Sequence, residues 1–475
     1  MTTSADVPLV IERDGVLPMA VQIAGQLREA VAAGTLAAGQ RLPSSRQLAQ
    51  VLGVSRTVVM SAFTQLFAEG WLEGRHGSGT YVADGVAGTS GTTATPGSAS
   101  RGVEAAVGPG PCGGLIDLRP GIPWAAGIDP AMWRRAMRAA GRQPPSAQPD
   151  LLGLPALRAE IASYLRRARG IACEPEQVLI TRGVLGGLAL LAATLIRPGD
   201  RAGIEEPGYP DARELLDRSG AVVVPCRTDA DGIVVDDLPP GLRLVYTTPA
   251  HQYPLGGRLA IARRRALVRW ARETGALIVE DDYDGEFRYD VAPLPSLHSL
   301  DPEVVVYLGT TSKVLTPALR TGWLAAAPGL ASRLADAPAL PASRVSEPSQ
   351  YAVLAMLTSG DLDRHIRKMR LEYASRRSVL ARTLGDLPGT RLLGDTAGMH
   401  IVLQTPPGMR PGQAVDAARE RGVAIGALAH YYAGPVTLDG LILGYGAATQ
   451  AQIGQAAVIL RGLLEISRPI RPRSG

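Results

Sequence analysis

The chain has 475 residues, 46% hydrophobic and 20% charged, so it is too long for one small core and two or three globular domains are expected. It has no uncharged apolar run of about 18 residues, and Met1 to Arg13 has no basic region followed by an apolar stretch, so neither a membrane span nor a secretory leader is expected. The formal net charge of +5 is too small to establish a nucleic-acid partner, and Cys112, Cys173 and Cys226 lack metal-ligand spacing, which fits free thiols in a reducing cytoplasm and no metal site.

Met19 to Ala33 reads as a helix, with Ile23, Leu27 and Val31 on one apolar stripe and Gly34 to end it. Pro43-Ser44-Ser45 offers a turn and a cap for a short helix over 46–52. Gly53-Val54-Ser55 supplies a tight turn and a second cap. A longer helix follows over 56–69, with Val59, Phe63 and Leu66 inward and Gly70 as its stop. Trp71-Leu72-Glu73 and Thr80-Tyr81-Val82 are strand-like, and the glycine-rich tip between them makes a hairpin.

This order is the layout of a winged helix-turn-helix, in which the start of the third helix reads base edges of double-stranded DNA. Ser55, Arg56 and Thr57 stand there, with Arg56 and Thr57 as base readers. Arg41, Arg46, Arg75, His76, Ser78 and Gly79 are placed for phosphate or minor-groove contact. Residues 1–83 carry six Arg and six acids, but four of the Arg fall between Arg41 and Arg75, where the acids are only Glu69 and Glu73, so any positive field is local.

Asp84 to Gly114 is dominated by Gly, Ala, Ser, Thr and Pro without apolar periodicity, and reads as a flexible linker. From Leu115 short apolar runs alternate with amphipathic stretches. The runs include 178–180, 222–224, 277–279 and 304–306, and the amphipathic stretches include 155–169 and 258–274. That alternation predicts a large α/β lobe on a mainly parallel sheet. After Pro328 a long helix over 362–384 and strand-like pieces at 399–403, 423–425 and 441–445 predict a smaller α+β lobe. The expected domains are 1–83, 84–114 and 115–475.

Lysine occurs at only two positions, Lys313 and Lys368, in a chain that otherwise uses Arg. A Lys kept behind hydroxyls, in Thr310-Thr311-Ser312-Lys313, suggests chemistry closed to Arg, because only Lys can lose its proton on burial and attack a carbonyl. Arg320, seven residues on, can hold an anion as a fixed fork. Glu280-Asp281-Asp282-Tyr283-Asp284 follows a buried-strand pattern, and acids at such a strand end point into the usual ligand crevice of an open α/β sheet. Glu205 to Pro210 brings Tyr209 to the same edge, and Thr247 to Gln252 brings His251.

The stretch from Arg41-Leu42-Pro43-Ser44-Ser45-Arg46 through Gly70-Trp71-Leu72 to Gly77-Ser78-Gly79-Thr80-Tyr81-Val82 resembles the GntR-type winged helix. Residues from about 115 to 470 resemble the fold-type-I aminotransferases, and the fusion of the two is similar to the MocR/GabR family of transcription regulators. The resemblance implies pyridoxal 5'-phosphate as cofactor, a homodimer, a small-molecule effector and a cytoplasmic location. It implies that Lys313 bonds the cofactor, Asp281 pairs with its pyridine nitrogen and Tyr283 hydrogen-bonds its 3-oxygen. It further implies that Tyr209 stacks on the ring, that His251 belongs to the site, and that Ser312, Arg320 and the helix start at Gly183 and Val184 hold the phosphate.

Three departures from the aminotransferase pattern bear on the effector. Gly183-Val184-Leu185 lacks polar side chains, Asp211 stands where the γ-aminobutyrate-sensing member has Arg, and Ile442 stands where aminotransferases place the Arg that grips a substrate carboxylate. An α- or γ-amino acid is therefore a poor fit as effector, the alternative being an amine or amino acid held by an Arg from elsewhere, such as Arg391. Pyridoxal phosphate itself is the expected signal, as in the PdxR-like members of the family.

Overall fold

The computed structural model describes residues 9–13, 18–75, 79–83, 114–290, 294–406 and 408–466, leaving aside the side chains of Ala32, Arg75 and Ile466. His76 and Ser78 lie outside these residues, as does the expected linker apart from Gly114.

Three helices, α1 (Met19–Ala32), α2 (Ser45–Leu52) and α3 (Arg56–Glu69), precede a hairpin of β1 (Leu72–Arg75) and β2 (Gly79–Val82). Local signals set these boundaries. Ser44 and Gln47 cap each other at the start of α2, and Gly53 closes it in the left-handed conformation. Ser55 Oγ accepts from Val58 N at 3.3 Å to open α3, and Gly70 at φ +79° closes it. Ile23, Leu27, Val59, Phe63, Leu66 and Trp71 form the small core beneath.

The second unit opens with β3 (Ile116–Asp117), α4 (Pro130–Gly141) and α5 (Pro155–Arg169). The large lobe continues through β4 (Val178–Thr181), α6 (Gly183–Leu195), β5 (Arg201–Glu206), α7 (Pro210–Arg218), β6 (Val222–Asp229), β7 (Gly232–Ile233) and β8 (Leu242–Thr247). It ends with α8 (Ile261–Thr274), β9 (Leu277–Asp282), β10 (Val305–Thr310), β11 (Gly322–Ala325), α9 (Pro328–Ala335) and α10 (Glu347–Thr358). Its eight strands lie in the order β4-β11-β10-β9-β8-β5-β6-β7. The central run from β10 to β6 is parallel, while β11 lies antiparallel to both neighbours. Helices cover both faces, so β10 is buried along its whole length and β9, β8 and β5 along most of theirs, while β6, near the edge, is largely uncovered.

The small lobe comprises α11 (Asp361–Leu384), β12 (Arg391–Leu393), β13 (His400–Gln404), α12 (Pro411–Glu420), β14 (Val423–Ala424), β15 (Gly426–Ala427), β16 (Gly440–Gly444) and α13 (Gln450–Ile466). Four strands form an antiparallel sheet in the order β12-β13-β16-β15. The piece expected at 423–425 is divided. Val423 and Ala424 pair with Ile116 and Asp117 in a separate parallel ribbon, and only the chain beyond them joins β16. No described helix is long and apolar enough to cross a membrane.

Candidate functional site

The C-terminal ends of β4, β8, β9 and β10 open on one cleft of about 270 Å³. This is the crevice in which open α/β sheets bind ligands. Lys313, three residues beyond β10, stands half-buried on its wall, and its Nζ donates to Gly121 O at 2.7 Å. Burial pushes the Lys313 ammonium below its ordinary value, against the pull of Asp281 and Asp284.

Asp281, near the end of β9, is 3% exposed. Tyr246, on the neighbouring strand β8, donates to its Oδ2, while its Oδ1 is buried without a partner. Burial pushes the carboxyl up to about 7.

A second cluster backs the cleft. The Tyr283 hydroxyl and His251 Nδ1 are 2.9 Å apart, and the same nitrogen is 3.1 Å from Asp284 Oδ2. His251 is buried behind Tyr283, so it braces the wall and does not line it, contrary to the direct role that its sequence position suggests. His400 lies beside it with ring centres 5.2 Å apart, and burial followed by the neighbouring His251 pushes its imidazole down to about 4. Side-chain ligand atoms of His251, Asp284 and His400 lie within 4.8 Å of one another. Protein groups already engage both rings, since His400 Nε2 is 2.8 Å from Pro254 O.

The far end of the cleft is built for an oxyanion. α6 begins at Gly183 (φ +75°), where a Cβ would lie 3.5 Å from Thr310 Oγ1 and 3.9 Å from Ser312 Oγ. Gly322 packs so closely behind it that a Cβ there would come within 2.6 Å of Gly183 Cα. The α6 start, the Thr310 and Ser312 hydroxyls, 3.0 Å apart, and Arg320 thus share the cleft wall, and a helix start of this kind favours an anion. Arg320 is the one non-glycine described residue with positive φ, at 44°, and its guanidinium has no hydrogen-bond partner among the described residues. Left-handed backbone at a non-glycine residue is a strain that persists where the surroundings fix it, characteristically at binding sites.

Tyr209 also lines the cleft, donating to Asp211 at 3.0 Å and standing edge-on to Tyr253, with ring centres 5.9 Å apart. Ile442 is fully buried in an apolar cluster with Val402, Leu428 and Tyr432. Arg182 and Arg320 are the arginines of the cleft wall, and both stand at its oxyanion end. Arg391 lies on β12 and does not reach the cleft.

The sequence reading assigned no site role to Thr248, Thr310 and His400, which line the cleft, or to Tyr246, which bonds Asp281 behind it. Tyr246 and Thr310 each sit near the C-terminal end of a buried strand, the same signal that marks Asp281. Asp281 is ready for a cationic ring nitrogen, Lys313 for an aldehyde, and the α6 start with Arg320 for a phosphate. The residues therefore fit pyridoxal phosphate.

In the winged helix, Arg41, Arg46, Ser55, Arg56, Thr57 and Gly79 are all exposed. Arg56 and Thr57 begin α3, with Arg56 Nε 3.3 Å from Ser45 Oγ. Arg41 lies along the wing, its Nε 3.1 Å from where a Cβ on Gly79 would sit. The backbone of Arg75 belongs to β1.

The family of aminotransferases of class I and II matches residues 123–437, and the gntR family of bacterial regulatory proteins matches residues 19–82. The chain is 39% identical over 444 residues to the HTH-type pyridoxine biosynthesis transcriptional regulator PdxR of Corynebacterium glutamicum, covering 93% of this chain and 95% of that protein. It is 35% identical over 457 residues to the probable rhizopine catabolism regulatory protein MocR of Rhizobium meliloti, covering 92% of each. Among solved structures, an archaeal alanine:glyoxylate aminotransferase superposes with a TM-score of 0.69 at 26% identity, covering 74% of this chain and 91% of that one.

Proposed function

The chain belongs to the MocR/GabR family, which joins a GntR-type winged helix to an aminotransferase-like domain, and from that premise we propose that it is a transcription regulator whose signal is pyridoxal phosphate itself. In this reading residues 1–83 bind operator DNA, 84–114 link, and 115–475 bind the cofactor. The protein acts in the cytoplasm as a homodimer, whose two winged helices imply paired half-sites.

The cofactor supplies an aldehyde, a ring nitrogen and a phosphate. Lys313 would take the first, Asp281 the second, and Gly183, Val184, Ser312 and Arg320 the third, while Tyr283, braced by His251, would hydrogen-bond the ring oxygen and Tyr209 would stack on the ring. The observation that carries the reading is the uneven charge of the cleft. Its lining arginines, Arg182 and Arg320, stand at the oxyanion end, while Tyr209, also on the wall, is bonded to an acid, Asp211. A substrate carboxylate there would lose its hydration without a cationic partner, at a cost of several kcal/mol. The site is complete for the cofactor and incomplete for an amino acid. Binding changes DNA occupancy only through a difference in cofactor affinity between two arrangements of the protein.

The test is DNA binding by apo-protein titrated with pyridoxal phosphate alone, then by holo-protein with amino acids and amines. A response in the first titration is expected. A response only in the second, with a change in cofactor absorbance, overturns the reading and points to an amino acid or amine as the signal.

A further inference from the structure

The turn that lines the cleft at one end touches the winged helix at the other. Tyr253, on the cleft wall, packs edge-on against Tyr209, Tyr283, His400 and Tyr431 with ring centres 5.2–5.9 Å apart. Seven residues later the chain reaches Ala260 and then α8. Ile261, at the first turn of α8, is 5% exposed because it enters the apolar core of the winged helix. A Cβ on Gly70 would lie 3.4 Å from the Cβ of Ala260, and the Arg265 guanidinium stands 4.9 Å over the Trp71 ring. Gly70 and Trp71 directly follow α3, the helix that carries Arg56 and Thr57.

Between these ends the turn is braced as one piece. Leu259 N donates to Pro249 O at 2.9 Å, and Gln252 and Gly257 close a smaller loop inside it. The buried Arg264 guanidinium binds three carbonyls, those of Leu259 at 2.7 Å, Pro249 at 3.0 Å and Pro295 at 2.6 Å. These bonds join Tyr253 and Ile261 through one continuously packed segment. The small lobe bears on the same turn, because Asp395 N donates to Gly256 O at 2.7 Å.

We infer that the segment from Pro249 to Arg265 carries the state of the cleft to the winged helix, with Ala260, Ile261 and Arg265 as the surface on which the winged helix docks. This rests on the function proposed above, since it supplies the route by which cofactor binding reaches DNA. Filling the cleft between Tyr209, Tyr253 and Tyr283 fixes the position of the turn. The turn sets the seat of Gly70 and Trp71, and so the attitude of α3.

The experiment uses the full-length protein, with Ile261→Ser and Arg265→Ala as variants. Operator affinity is measured with and without pyridoxal phosphate, cofactor absorbance confirms loading, and hydrogen exchange is followed over residues 66–72 and 259–270. In the wild type the cofactor is expected to change operator affinity by about 5–150-fold, the range usual for coupled sites, and to change exchange in both segments. In both variants the cofactor still loads and the affinity ratio falls toward one. Because Arg265 is partly exposed, its truncation tests the contact even if Ile261→Ser folds poorly. A wild-type ratio that survives in the variants overturns this inference and leaves the proposed signal intact. A wild type with no cofactor effect on DNA but with altered exchange in both segments overturns the proposed signal and leaves the route standing. Unaltered exchange in either segment of the loaded wild type overturns the route.

Discussion

Tyr246 donates its phenolic hydrogen to one oxygen of Asp281 and leaves the other, buried and without a partner, in a carboxyl whose neighbour on the cleft wall is Lys313. A carboxylate so placed is destabilised by burial until a cation reaches it, and its raised value of about 7 expresses that. The unfolded chain holds the same carboxyl near its ordinary value of about 4. A raised value means that the folded state keeps its proton longer. The resulting stability is full below about pH 4 and is lost as pH rises through about 7. In the apo-protein Asp281→Asn removes this loss, because Asn still accepts from Tyr246. Thermal unfolding should show the variant more stable than wild type at pH 8, by roughly 4 kcal/mol, with the gap closing toward pH 4. Some fall with pH will remain, since burial also pushes Glu280 up to about 7. The same variant should hold pyridoxal phosphate about 10–100-fold more weakly, having lost a charged hydrogen-bond partner. A variant that gained stability and kept full cofactor affinity would remove Asp281 from the site.

Lys313→Ala should abolish the borohydride-reducible link between protein and cofactor. Peptide mapping of reduced wild type should find the label on Lys313 and none on Lys368. Lys368 donates to Gly127 O at 3.0 Å from α11 and does not line the cleft. The depressed Lys313 ammonium leaves a larger neutral fraction near pH 8 than a solvated lysine has, which favours its reaction with an aldehyde. Label on Lys368 would refute the site.

Arg56→Ala should weaken operator binding by about 1–3 kcal/mol and relax preference at one base position. Arg46→Ala should weaken all sequences alike and reduce the salt slope by about one unit. Ser55 has a separate structural duty as the α3 cap, so Ser55→Ala should cost about 1 kcal/mol of stability whatever it does to DNA affinity. Footprints and salt titrations distinguish the three.

What the sequence disclosed depends on how local the cause is. The bounds of α3 follow from Ser55 and Gly70, each acting within one turn, and they coincide with expectation. The buried strands at Val178–Thr181 and Leu277–Asp282 announce themselves as apolar runs, and the acids at the end of the second mark the cleft. The antiparallel placement of β11 and the pairing of Val423 with Ile116 depend on partners far away in the chain, so no window of sequence shows them. The same holds for Ile261, which lies in the amphipathic stretch 258–274 yet packs in the core of another domain. His251 was legible as a site residue, but its place behind Tyr283 is a tertiary fact.

Arg169 was legible only as the last residue of an amphipathic helix, and its burial beneath the cofactor strand yields the last prediction. It is 2% exposed. Its Nε bonds Asp282 Oδ2, and its Nη2 lies 2.7 Å from Glu286 Oε1, an ion pair not aligned as a hydrogen bond. Tyr307 and Tyr164 donate to the same two carboxylates, each at 2.6 Å. One guanidinium therefore compensates two buried acids, one of them the residue after Asp281. Burial raises the carboxyl of Glu286, and Arg169 is the first influence that lowers it. Arg169→Ala strands both acids and should cost about 3–5 kcal/mol of stability, far more than an exposed pair would. Without the guanidinium the folded-state value of Glu286 rises further, so this loss should be smaller at pH 5, where protonation relieves the stranded charge, than at pH 8. Adding Asp282→Asn and Glu286→Gln to Arg169→Ala should recover part of it, because the residual groups can still accept from Tyr307 and Tyr164. A loss independent of pH and unrelieved by the neutral partners would show that Arg169 acts through packing alone.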